Sequence, residues 1–306
     1  MNQKKIVFIV GPTAVGKSEI AFELGKKLNG EIVSCDAMQV YKEVSIATNK
    51  PDVVMLNEIP HHLINIISVT EEFDVSLFNE RAVAAIEDIL GRNKIPIIVG
   101  GSGLYMEILL DGIFPFGGKN PELRQALQRR AEEEGNEALH QELQQMDPQA
   151  AAKIHVNDVR RVIRALEICH TLNTPISQLQ QSRQGLWGKY DIRVYCLSRE
   201  RQELYEQINK RVVDMFERGV VDEIRKLVFV PMSMTAQRII GVEEIKGFLG
   251  GEYQLDKAVE MMQFHTRRYA KRQLTWFRHD KRIAWLAIDK NYPAKKHLQR
   301  ILSEIS

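Results

Sequence analysis

Ile6-Val7-Phe8-Ile9-Val10 is an unbroken apolar run of strand length, the pattern of a parallel strand buried on both faces. Glu19 to Leu28 follows as a helix, with Ile20, Ala21, Leu24 and Leu28 on one face. Glu31-Ile32-Val33-Ser34-Cys35 reads as a second strand with Asp36 at its carboxyl end. Phe78 to Leu90 is helical, and Ile95-Pro96-Ile97-Ile98-Val99 is a third strand ending at Gly100-Gly101. This alternation over residues 1–115 predicts a parallel sheet with its ligand at the carboxyl ends of the strands. The pattern changes near Gly117-Gly118. From Pro121 to about Gln181 the chain is helix-forming and strand-poor, with a break at Asp147-Pro148 and a long helix from about Asn157 to Leu172. Asp191 to Leu197 returns to strand character and is expected to rejoin the sheet. The remainder is mostly helix, with one apolar break at Val228-Phe229-Val230-Pro231.

Between the first strand and its helix lies Gly11-Pro12-Thr13-Ala14-Val15-Gly16-Lys17-Ser18, a complete G-x-x-x-x-G-K-[ST] loop. Strand, glycine-rich loop and helix together give the motif its mechanism. Gly11 and Gly16 let the backbone wrap a phosphate, and loop N–H groups and the helix N-terminus supply partial positive charge. Lys17 adds a full charge, and the Ser18 hydroxyl can ligate Mg²⁺. The ligand therefore carries a di- or triphosphate, without being specified as ATP. The expected fold is α/β: a P-loop NTPase-like parallel-sheet core over residues 1–116 and 187–306, with a helical C-terminal region. Residues 117–186 form a helical insertion.

Composition adds limits. With 44% apolar and 27% charged residues the chain is globular rather than disordered. A net charge of +2 is too small to imply a polyanion partner by itself, so any nucleic-acid site is a local patch. Cys35, Cys169 and Cys196 are far apart, which excludes a disulfide framework or zinc site and fits a reducing cytosol. No segment approaches the length of a membrane span.

Asp36, at a strand end, has the place of a general base or of a Mg²⁺ ligand acting through water; a helix or turn cap is the alternative. Met38 and Gln39 follow, and the neutral, bidentate amide of Gln39 suits an adenine edge. Gly100-Gly101-Ser102-Gly103-Leu104-Tyr105 is a second glycine-rich turn that brings backbone and the Ser102 hydroxyl toward the same cleft. That strand does not end in the acidic residue many P-loop ATPases place on Mg²⁺. His61 and His62 are adjacent and point to opposite faces of an extended chain, which favours structural roles over a shared metal. Arg160, Arg161 and Arg164 lie off the apolar face made by Val159, Val162, Ile163 and Leu166. They are either a solvated face or phosphate contacts, and no acid lies among residues 159–166. Residues 266–278 interleave Arg267, Arg268, Lys271 and Arg272 with Tyr269, Trp276 and Phe277. The i,i+4 cations form a helical stripe, a mixture used to bind RNA; the alternative is a surface helix whose aromatics face the core.

Taken together, these residues resemble the tRNA dimethylallyltransferase (tRNA isopentenyltransferase) family. The matches are Gly11 to Ser18, Asp36 to Tyr41, Pro60-His61-His62-Leu63-Ile64, Val99 to Tyr105, Asn157-Asp158 through Glu167, and Thr266 through Arg278, in family order over almost the whole chain. The resemblance implies transfer of a dimethylallyl group from dimethylallyl pyrophosphate to N6 of the adenosine 3′-adjacent to the anticodon, with Mg²⁺. It implies that Gly11, Thr13, Ala14, Val15, Gly16, Lys17 and Ser18 hold the pyrophosphate, joined by Arg211. Asp36 takes a proton from the amine, Ser102 stands beside that amine where the family usually has threonine, and Lys17 steadies the leaving group. Asp36, Ala37, Met38, Gln39, Ser102, Arg124, Arg160, Arg161, Val162, Ile163 and Arg164 are expected to contact tRNA. So are Arg238, Ile239, Ile240, Gly241, Val242, Glu243, Arg268, Lys271 and Arg272. Ala37 replaces a common serine, Val242 a common tyrosine, and Ile46-Ala47-Thr48-Asn49-Lys50-Pro51 departs from the usual I-G-T-A-K-P. A cytoplasmic monomer acting on the anticodon stem-loop, without a membrane, is expected. An ATP-dependent small-molecule kinase is the competing reading, supported by the first 105 residues alone.

Overall fold

The structure is a computed structural model and describes residues 3–114, 118, 120–289 and 294–305. Strand β1 (Lys5–Val10) buries Ile6 to Val10 almost completely. Alternate residues serve opposite faces: Ile6, Phe8 and Val10 join one apolar core and Val7 and Ile9 the other. Helix α1 (Lys17–Leu28) packs Ile20, Ala21 and Leu24 under the second face. Then follow β2 (Gly30–Ser34), α2 (Val53–Glu58), β3 (His61–His62), α3 (Val75–Gly91), β4 (Ile95–Gly100) and α4 (Gly103–Asp111). Helix α3 closes the first face with Phe78, Ala82, Ile86 and Ile89.

Helices α5 (Pro121–Glu133), α6 (Asn136–Met146), α7 (Pro148–Ala151), α8 (Val159–Leu172) and α9 (Ile176–Gln181) come next, without a strand among the described residues. The chain returns through β5 (Asp191–Ser198), α10 (Arg201–Glu217), α11 (Val220–Arg225), a 3-10 turn at Ala236–Arg238, α12 (Val242–Leu249), α13 (Leu255–Phe277), β6 (Ile283–Ala287) and α14 (Ala294–Ile305). The six strands pair in parallel in the order β3-β2-β4-β1-β5-β6. Val10 is level with Gly100 on one side and Cys196 on the other, and Ser34 with Val99. One edge of the sheet therefore presents Gly11, Cys35-Asp36 and Gly101 together.

Two strands go beyond the expected pattern. β3 is two residues long, too short to carry periodicity. His62 Nε2 there meets the buried Glu31 carboxylate at 2.8 Å, a structural role rather than a metal one. β6 was expected to be part of a helical remainder, and instead forms the sheet edge against β5. Only Ile283 and Leu286 are buried in it, a spacing of three that imitates a helix face.

The chain divides into two compact units, Met1–Leu110 with Leu186–Ser306, and Asp111–Gly185. The expected boundary between residues 116 and 117 lies outside the described residues. The second unit has its own core of Leu127, Leu139, Leu143, Val162, Ile163 and Leu166. Buried Asp147 knits it together, accepting N–H bonds from Ala150 at 2.9 Å and Ser177 at 2.7 Å. Among the described residues no helix is long and apolar enough to cross a membrane.

Candidate active site

The phosphate loop is shaped by backbone conformations that few residues adopt. Gly11 and Gly16 have φ of 142° and 101°, and Ala14 reaches 63°. A Cβ on Gly11 would stand 2.6 Å from the Leu197 carbonyl oxygen on β5, so the close packing of loop on sheet requires glycine. Val15 is fully buried in the core, which leaves only its backbone to meet a phosphate.

Two cations converge on the loop. Lys17 donates to the Pro12 carbonyl at 2.8 Å. Burial, and then the neighbouring Arg211, push its ammonium down to about 8, with Asp36 pulling the other way. Arg211, reaching in from α10, donates to the Thr13 hydroxyl. Burial pushes Arg211 down to about 10, again opposed by Asp36. Its Nε is buried and has no hydrogen-bond partner among the described residues. A buried donor without an acceptor is unfavourable, and a phosphate oxygen in the loop is the kind of acceptor that would satisfy it.

Asp36 takes up the turn-cap role and also stands near the site's cations. One oxygen accepts the Met38 N–H at 2.8 Å and caps the turn. The carboxylate also acts electrostatically on Lys17, Arg211 and Tyr269, which places it among the site's charged groups. The backbone fixes Ser102 beside it: Cys35 N–H bonds the Val99 carbonyl at 2.7 Å, and Ser102 N–H the Cys35 carbonyl at 3.4 Å. The Ser102 carbonyl accepts the Met106 N–H at 3.1 Å and starts α4, leaving the hydroxyl without a bond among the described residues.

Gln39 departs from expectation. Its Oε1 accepts from the Ser34 hydroxyl at 3.1 Å, and its Nε2 faces the carbonyls of Thr48 at 3.4 Å and Asn49 at 3.3 Å. Its amide is engaged within the protein, so bidentate reading of an adenine edge requires breaking these bonds. Ala37 and Met38 are partly buried beside it and pack against the core.

A cavity of about 340 Å³ lies on the first unit, lined by Arg238, Ile240, Glu243, His265, Arg268 and Arg272 among others. It joins two segments that the sequence pattern picked out separately. Arg268 and Arg272 are exposed, and each guanidinium lies over an aromatic ring, Phe264 at 5.5 Å and Tyr269 at 5.7 Å. Lys271 is exposed on the same helix. Glu244 accepts the Gly241 N–H at 2.8 Å and pairs with His265 at 2.5 Å. Ile239 and Val242 are buried in the core, so their side chains are not contact residues, and Gly241 is buried with them. Phe277 is also buried, and Trp276 is 43% exposed. Arg267 leaves the basic stripe to bond Asn209 at 2.6 Å.

In the second unit, Val162 and Ile163 belong to the core and are likewise removed as side-chain contacts. Arg124 at 2.8 Å and Arg164 at 2.5 Å both pair with Glu167, which is fully buried. That acid stands one position beyond the acid-free stretch, and it gives both arginines a structural task. Arg160 and Arg161 are exposed, Arg161 with a long 3.7 Å contact to Asp158.

A divalent ion fits this donor set in one way. Among the described residues no three His, Cys, Asp or Glu side chains converge, so the protein offers no cage of its own. The Ser18 hydroxyl, in the first turn of α1, is a hard oxygen donor of the kind that shares Mg²⁺ with a ligand's phosphates.

Comparisons with known proteins show the family. The family model described as IPP transferase matches residues 39–280. The tRNA dimethylallyltransferase of Halothermothrix orenii is 42% identical over 287 residues, 93% of this chain and 88% of its own. The solved tRNA isopentenylpyrophosphate transferase of Bacillus halodurans is 37% identical with a TM-score of 0.70, covering 99% of this chain and 97% of that one. A eukaryotic dimethylallyltransferase captured acting on tRNA superposes with a TM-score of 0.83 at 30% identity, over 98% of this chain and 80% of its own. Matched over most of its length by the family model and by these relatives, the chain belongs to the IPP transferase family, the tRNA dimethylallyltransferases.

Proposed function

We propose that the protein transfers a dimethylallyl group from dimethylallyl pyrophosphate to N6 of the adenosine 3′-adjacent to the anticodon of tRNA, releasing pyrophosphate. The observation that carries this reading is that two half-buried cations, Lys17 and Arg211, meet at the phosphate loop within electrostatic reach of a strand-end carboxylate, Asp36. The N6 lone pair attacks the allylic carbon, and the bond from that carbon to the bridging oxygen breaks. Its electron pair leaves with pyrophosphate, and the amine proton passes to the Asp36 carboxylate. Lys17, Arg211 and the loop N–H groups stabilise the charge growing on the departing oxygen. Ser18 would hold a Mg²⁺ ion, which when bound would supply further charge neutralisation at the leaving group. The target base leaves its stack to reach Asp36 and Ser102. Arg160, Arg161, Arg238, Arg268, Lys271 and Arg272 are the exposed cations assigned to tRNA phosphates. The reading takes the cytoplasm as compartment and a single chain as the acting unit.

Incubation with undermodified tRNA and either labelled dimethylallyl pyrophosphate or labelled ATP tests the proposal. Prenyl label in tRNA supports it, whereas phosphate transfer from ATP without prenylation replaces it with the kinase reading.

A further inference from the structure

Helix α13 carries its exposed arginines on one side and a buried glutamine on the other. Gln273 Oε1 accepts the Thr13 N–H at 2.9 Å, inside the phosphate loop. Its Nε2 donates to the Gly101 carbonyl at 2.9 Å, one residue before Ser102. A Cβ on Gly101 would stand 2.0 Å from that Nε2, so turn and amide are fitted with no spare room. One side chain therefore bridges the loop that meets the donor and the turn that meets the acceptor.

Helix docking alone does not call for an amide here. Ala270 and Phe277 on α13 are fully buried and already seat the helix on the cores of the first unit. An amide at 5% exposure is unfavourable unless both its ends are bonded. Both ends are, and to two separate strand-end loops. Glutamate would set an oxygen against the Gly101 carbonyl and a negative charge beside a diphosphate. Asparagine is a methylene too short to span the two contacts.

We propose that Gln273 is a positioning residue for the transfer, holding the Ser102 turn in register with the phosphate loop. This rests on the prenyl-transfer reading above. Displacement at the allylic carbon requires amine, carbon and leaving oxygen in line, and a shift of about 1 Å costs about 100-fold in rate. Gln273 acts on that alignment through Thr13 and Gly101, without touching either substrate.

The test is Gln273→Met, which keeps length and volume and removes both hydrogen bonds, set in a double-mutant cycle with Ser102→Ala. Gln273→Met is expected to lower kcat by about 100-fold while Kd for inorganic pyrophosphate and for a tRNA anticodon stem-loop stays within about threefold. Ser102→Ala alone is expected to lower kcat by about tenfold, and to cost little more in the Gln273→Met background. Losses that simply multiply, or a Gln273→Met enzyme with near-normal kcat, overturn the positioning role. A wild type that transfers no prenyl group overturns the functional reading, and this role with it. If Gln273→Met does not fold, Gly101→Ala presses on the same amide from the turn. It must then reproduce the kcat loss with both affinities retained, and unchanged kcat overturns the proposal.

Discussion

Glu223 and Ile46 are 177 positions apart and joined by a 2.8 Å hydrogen bond from the Ile46 N–H to Glu223 Oε1. The same carboxylate takes the N–H groups of Ser45 at 2.7 Å and Ala47 at 2.9 Å. Three successive amides form a concave anion site that α11 fills with its own acid. The loop so pinned supplies the Thr48 and Asn49 carbonyls that face Gln39. In the same loop Asn49 sits at φ 47°, a left-handed conformation that asparagine tolerates. Glu223→Ala is therefore expected to lower unfolding free energy by about 2–3 kcal/mol, the scale of losing charged hydrogen bonds. Urea denaturation of the two proteins measures it, and a loss below experimental error removes the pinning role.

Asp36 caps a turn and is proposed as the general base, and one substitution separates the two roles. Asp36→Asn keeps an oxygen for the Met38 N–H, so the turn survives, but an amide does not take a proton. Turnover is expected to fall by roughly 10²–10⁴, the usual contribution of a general base, with tRNA affinity changed only a few-fold. Single-turnover prenylation alongside tRNA binding checks this; near-normal turnover would falsify the base assignment.

The depressed ammonium of Lys17 fixes a direction with pH. In the free enzyme it loses its proton as pH rises through about 8, because burial and Arg211 disfavour the charge. The diphosphate attracts the charged form, so kcat/KM for the prenyl donor is expected to decline above about pH 8. Lys17→Arg stays charged and is expected to lack that inflection even if its activity is low. An identical alkaline limb in both proteins assigns the titration to another group.

The phosphate loop, β1, β2 and β4 were legible because their chemistry is local. A glycine-rich loop between an apolar strand and a helix has few other meanings, and Asp36 and Ser102 are placed by the strands they follow. What the pattern could not show was long-range. Gln273 looked like one polar residue in a basic helix, and only the packing of α13 brings it to Thr13 and Gly101. β6 was lost because an edge strand with Ile283 and Leu286 buried has no alternation to detect. Contiguous contact segments also merged inward and outward residues. Val162, Ile163, Ile239 and Val242 sit beside arginines in sequence yet face the cores.

The arginines of the second unit divide by partner, and salt dependence separates the groups. Arg161 is 62% exposed, with a long 3.7 Å contact to Asp158. In the first unit, Arg268 lines the cavity and stacks over Phe264. If these two meet phosphates, each alanine substitution weakens binding at all tRNA sequences about equally. Each also flattens log K against log salt by roughly 0.7–0.9, one counterion's share. Arg164 differs because its partner Glu167 is fully buried. Removing it leaves that carboxylate with Arg124 and the Asn120 N–H, both at 2.8 Å. The main effect of Arg164→Ala is therefore on stability, about 1–3 kcal/mol, since one of several partners of a buried charge is lost. tRNA affinity over a salt series and urea unfolding of all three variants give the comparison. An unchanged slope for Arg161→Ala and Arg268→Ala makes them merely solvated, and a flattened slope with unchanged stability for Arg164→Ala moves that residue to the RNA surface.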